Sequence, residues 1–253
     1  MQKTVKEELR LWAQEYVPKF EKLAKEFETC YYTQSPLAEI EDCIDTLILG
    51  INPKGDGKVS EDKTVDGFLD GNEYWSTRFK WKFFVETRWF LGYNHLESSD
   101  SVDNEKKTVW ANLTPFVSNN GFSDLKPELV SVGVESTLRL IEILKPKRII
   151  LLTKDGFRVL RGKKVPQSVK DRISSVQVLE SPALEIGMIL GVPTVCVPHP
   201  SGQWPVSNKF TSMFILLHNL SCRDANGKIR KNIDEVRNIM REEIEALQTK
   251  VIL

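Results

Sequence analysis

Three short turns hold the residues with chemistry to offer: Gly50-Ile51-Asn52-Pro53, Asn112-Leu113-Thr114-Pro115 and His199-Pro200-Ser201. Each follows an apolar run, Thr46–Leu49, Thr108–Ala111 and Thr194–Val197 respectively. Runs that short and that apolar suit strands buried on both faces of a parallel sheet. The carboxyl ends of such strands open on one edge, where open α/β sheets place their ligands. Pro53 restricts Asn52 to extended geometry and so fixes where its carboxamide points. Two carboxamides and an imidazole form a neutral hydrogen-bonding set that can read the edge of a small planar ligand such as a nucleobase. Asp56 is the one carboxylate close by, and no nucleophile elbow, phosphate-binding loop or zinc-ligand spacing is present.

The elements that must position these turns alternate between helix and strand. Val5, Leu9, Trp12, Tyr16, Phe20, Leu23 and Phe27 recur three or four apart, which predicts an amphipathic helix over residues 3–28, kinked or split at Pro18. A strand over 44–50 follows, then a polar, glycine-dotted loop over Lys54–Asn72. Tyr74 and Trp75 precede a helix expected over 76–91, and Glu97–Lys107 reads as a charged loop. A second strand over 108–111, a helix over 127–144, a third strand over Arg148–Leu152 and a short helix carrying Phe157 and Leu160 come next. Val176–Leu179 reads as an edge strand, Pro182–Leu190 as a helix and Thr194–Val197 as the fourth core strand. Helices over 206–220 and 230–250 close the chain. Strands separated by helices predict a parallel, helix-covered sheet in an α/β fold.

No linker, internal repeat or low-complexity tract divides the 253 residues, so a single domain is expected, with a helical cover over 1–43, a core over 44–220 and a charged C-terminal helix over 221–253. Lys+Arg and Asp+Glu both number 35, which argues against a general polyanion binder but not against a local basic groove. No apolar run approaches a membrane span, and Met1–Lys6 lacks a signal-peptide profile. Cys30, Cys43, Cys196 and Cys222 form no CxxC pair, which fits a reduced, cytoplasmic protein without a metal site.

Taken in order, the three motifs resemble those of the uracil-DNA glycosylase superfamily. Gly50-Ile51-Asn52-Pro53 is similar to the asparagine form of its first motif, found in the single-strand-selective and mismatch-specific branches. Val109–Thr114 looks like the strand ending in a uracil-binding asparagine, and His199-Pro200-Ser201 like the H-P-S motif after the last strand. The resemblance spans residues 44–207 and implies a three-layer α/β/α sandwich whose short four-stranded parallel sheet has order 2-1-3-4. It implies hydrolysis of the N-glycosidic bond of uracil, or a related deaminated base, in DNA by a monomer using no cofactor. Asn52 would hold the attacking water, Asn112 would bind the edge of the flipped base, and His199 would donate to uracil O2 as charge moves onto the base. Gly50, Ile51 and Ser201 would complete the base-binding set. Tyr74 is the aromatic expected to stack on the base, with Phe68 and Trp75 as alternatives. Trp204, beside Gln203, would enter the gap left by the base, and Lys209 would meet a phosphate.

Each residue also has a plainer reading. Asn52 and Asn112 taken singly are turn formers that bond their own backbone. Tyr74 and Trp75 are hydrophobic packing, Trp204 caps an apolar helix, and the charges after 221 are a solvated face. Two rival functions accompany these readings. One is a non-catalytic nucleic-acid or nucleotide-binding protein that keeps the fold. The other is an enzyme acting on a different N-glycoside, such as a free nucleoside.

Overall fold

The computed structural model describes residues 3–55, 63–80, 108–153, 156–179, 184–197 and 199. Among them the chain forms a mixed α/β structure around one six-stranded sheet. The strands are β1 (Thr46–Gly50), β2 (Thr108–Asn112), β3 (Arg148–Leu152), β4 (Ile173–Leu179), β5 (Leu184–Ile189) and β6 (Val192–Val197). Their order is β2-β1-β3-β6-β5-β4. β2, β1, β3 and β6 run parallel, while β5 and β4 are added antiparallel at one side. The sheet is thus wider than the four strands expected.

The second difference explains the first. Residues 184–189, expected as a helix, form β5, because Leu184, Ile186 and Met188 alternate with Glu185 and Gly187 at the strand period of two. The turn into β6 is made by Leu190 and Gly191, both at positive φ (52° and 77°). Two successive left-handed residues match the twist of a tight hairpin, so β5 folds back on β6 directly.

Helix α1 (Val5–Glu26) begins with a capping box, in which Thr4 Oγ1 accepts from Glu7 N and Glu7 accepts from Thr4 N. Pro18 lies inside it, and the helix is not split there. α1 packs with α3 (Pro127–Leu144) and the short α2 (Val65–Leu69) over one face of the sheet, burying Leu47, Leu49, Val109, Ala111, Ile149 and Leu151. Trp12 Nε1 bridges the two long helices by donating to Ser136 O (3.0 Å) and Oγ (3.1 Å). On the opposite face Ile48, Trp110 and Ile150 are buried as well, which is why these strands read as unbroken apolar runs.

Phe68 is 1% exposed, with its ring 5.7 Å from those of Trp12 and Phe20. It is a core residue, not a surface platform for a base. The segment expected to begin a helix at 76 starts as a 3-10 helix over Trp75–Lys80, and its continuation lies outside the described residues. The same holds for the helices expected over 206–220 and 230–250.

Candidate functional site

β1, β2 and β6 are parallel, so the turns that follow them emerge at one edge of the sheet. β1 and β2 are neighbours, and their main chains go on pairing beyond the strands. Leu113 N donates to Gly50 O (2.8 Å), Thr114 N to Ile51 O (3.2 Å) and Ser118 N to Pro53 O (3.1 Å). The Asn52 and Asn112 turns are therefore fixed against each other by backbone, not by loop packing. His199 lies half-buried two residues past the end of β6. β6 is two strand positions from β1, roughly 10 Å along the sheet edge.

Asn112 pairs with Gly50 in the β1–β2 register. Its Oδ1 sits in the space where a Cβ on Gly50 would be. Its Nδ2 is buried and has no hydrogen-bond partner among the described residues. A buried, unmatched donor costs about 1–3 kcal/mol, a cost that an acceptor brought to the sheet edge would relieve.

Asn52 behaves differently. The two hydrogens of its Nδ2 are shared among three acceptors, Pro53 O (2.6 Å), Ser118 O (2.9 Å) and Ser118 Oγ (3.0 Å). In that respect it acts as the turn former that its position suggests. The two carbonyls can only accept, which sets the orientation of the amide and leaves Oδ1 as an acceptor with no donor among the described residues. Oδ1 lies beside Gly121, which stands at φ +62°, and a Cβ there would be 3.7 Å away. Ile51 is half-buried against the same glycine. Lys164 holds this loop in place, its Nζ donating to Phe122 O (2.7 Å), Ser123 O (2.9 Å) and Leu125 O (2.6 Å).

The expected aromatics part company. Tyr74 is 61% exposed. Trp75 is half-buried, its ring 6.5 Å from Trp110 and covered by the Arg78 guanidinium at 4.8 Å. Both line an open groove of about 1220 Å³ that also takes in Tyr32, Lys54, Lys63 and Arg78. Asn52 and Asn112 do not line it, although Lys54, two residues beyond Asn52, does. The Lys63 ammonium lies 5.9 Å from the Tyr31 ring centre and 5.5 Å from that of Tyr32. Burial lowers the Lys63 pKa, and it pushes that of Tyr32 up to about 12.

Ser118 and Gly121 do not stand out in the sequence. The Asn120-Gly121 turn signal is legible there, but not that it packs on Asn52. Ser201, Gln203, Trp204 and Lys209 lie outside the described residues. No group of three or more metal-binding side chains occurs among the described residues, and no described helix is long and apolar enough to cross a membrane. No family model matches the chain, and no curated protein is significantly similar to it.

Proposed function

We propose that this protein is a monofunctional DNA glycosylase that hydrolyses the N-glycosidic bond of uracil or a related deaminated base in DNA. The observation that carries the reading is the buried Nδ2 of Asn112, without a partner among the described residues and backbone-locked beside the Asn52 turn. A flipped uracil offers the carbonyl acceptor that this donor lacks. Asn52 Oδ1 would hold the attacking water, and His199 would donate to O2 as negative charge develops there. A donor aimed at developing charge is worth roughly 3–4 kcal/mol where measured. Phe68 is core, which leaves Tyr74, with Trp75 as the alternative, to stack on the base in this reading. The parallel order β2-β1-β3-β6 supports the likeness to the four-stranded glycosylase sheet, with β5 and β4 as an addition. A monomer acting in the cytoplasm belongs to the same proposal.

A second reading, a non-catalytic nucleic-acid or nucleotide-binding protein, is favoured by the groove. Its aromatic lining of Tyr32, Tyr74 and Trp75 suits a base, while Lys54, Lys63 and Arg78 are balanced by Glu39, Asp70 and Glu73, so a single nucleotide fits it better than a polynucleotide. A labelled, uracil-containing oligonucleotide treated with the protein and then with alkali separates the two. Strand scission that disappears in His199→Ala and Asn112→Ala supports the glycosylase. Retarded mobility without scission supports the binding protein, and neither result directs the search to a free N-glycoside.

A further inference from the structure

We propose that Ser118 is a positioning residue that admits only a neutral carboxamide at position 52 and turns its Oδ1 toward the reacting water. The assignment of that water rests on the glycosylase reading; the selection for an amide does not. Asn52 Nδ2 is met by Pro53 O at 2.6 Å, Ser118 O at 2.9 Å and Ser118 Oγ at 3.0 Å. The Ser118 hydroxyl gives its own proton to Gly121 O at 2.7 Å, so toward Asn52 it can only accept. Three acceptors thus converge on one nitrogen. Ser118 is itself 8% exposed, and its N–H is committed to Pro53 O, so the relay Asn52→Ser118→Gly121 is fixed at both ends.

A carboxylate in this cradle would face three lone pairs. It would have to keep its proton, or force the Ser118 hydroxyl off Gly121. Among the described residues, the charged groups on the packed segments are engaged elsewhere. Asp124 is bonded to Asn120, Lys164 holds three carbonyls, and Lys54 lines the groove. On the other side of the amide, Gly121 at φ +62° places no side chain beside Oδ1; a Cβ there would stand at an ordinary 3.7 Å, so it is the left-handed backbone that favours glycine. An asparagine-type water holder is therefore imposed by its surroundings.

The test is an Asn52→Asp variant whose carboxyl carbon is followed by NMR against pH. The expected result is a titration about two units above the ordinary aspartate value near 3.9. A titration at or below that value overturns the proposal. Should that variant not fold, Ser118→Ala in the full chain decides instead. The Asn52 side-chain amide protons should then exchange with solvent at least tenfold faster, and kcat for uracil excision should fall about tenfold with KM unchanged. Unaltered amide exchange overturns the proposal. A wild-type protein without excision activity, together with a raised titration in the Asn52→Asp variant, would sink the glycosylase reading and leave the amide selection standing.

Discussion

Gly50 and Asn112 face each other across the β1–β2 pair, and the Asn112 carboxamide occupies the space that a side chain on Gly50 would need. The glycine of the first motif is thus explained by the asparagine of the second. Residues 62 positions apart in sequence set each other's chemistry because parallel pairing places them in register.

Gly50→Ala is expected to push the Asn112 carboxamide off its seat. Overpacking at such a site costs about 1–3 kcal/mol, and misplacing a substrate-positioning group costs roughly 100-fold in rate. Urea unfolding and single-turnover excision of uracil measure the two effects. Unchanged excision would show that Asn112 does not position the base.

Asn112→Ala should separate function from stability. It removes a buried donor that has no partner among the described residues, which offsets the packing it loses, so the urea midpoint should not fall. Excision should drop by roughly 100-fold. A clear loss of stability would mean that the Nδ2 is satisfied in solution without any ligand.

Lys164→Met removes the ammonium from the carbonyls of Phe122, Ser123 and Leu125. Hydrogen bonds to a charged group are worth about 1.5–3 kcal/mol, so a loss of that order is expected, concentrated in residues 120–125. Amide hydrogen exchange should rise there and not in β1 or β3.

Two groups in the groove give stability opposite dependences on alkaline pH. Burial, with Cys30 nearby, raises Tyr32 from 10.0 to about 12. Its folded form keeps a proton that the unfolded chain loses, so its contribution is full below pH 10 and is lost as pH rises toward 12. Lys63 is lowered from 10.5, chiefly by burial, so the unfolded chain binds the extra proton. Its contribution therefore grows as pH rises through the lowered value toward 10.5. Urea midpoints between about pH 8 and 11.5 should fall less steeply at the alkaline end for Tyr32→Phe than for wild type. Lys63→Met should remove the opposing rise.

Local pattern is enough wherever one element's own residues decide its form. β3 over Arg148–Leu152 and α3 over Pro127–Leu144 match their expected bounds, because an unbroken apolar run and a 3.6-residue stripe are properties of the segment itself. Residues 184–189 depart from the helix expected of them because a short apolar segment is ambiguous. The left-handed pair at Leu190 and Gly191 becomes visible only once backbone angles are known. Phe68 falls between these cases. Its type suits a platform or a core equally, and the packing of Trp12 and Phe20 against it decides for the core.

By itself the sequence determined that Asn52, Asn112 and His199 each lie at or just past the end of an apolar run, since that order is written along the chain. Only the tertiary structure decided what the amides do. The Asn52 nitrogen is taken by Ser118 and the Asn112 nitrogen is left without a partner among the described residues. Hydrogen bonds between residues 66 apart depend on strand register and loop closure, and neither is encoded in any single stretch of sequence.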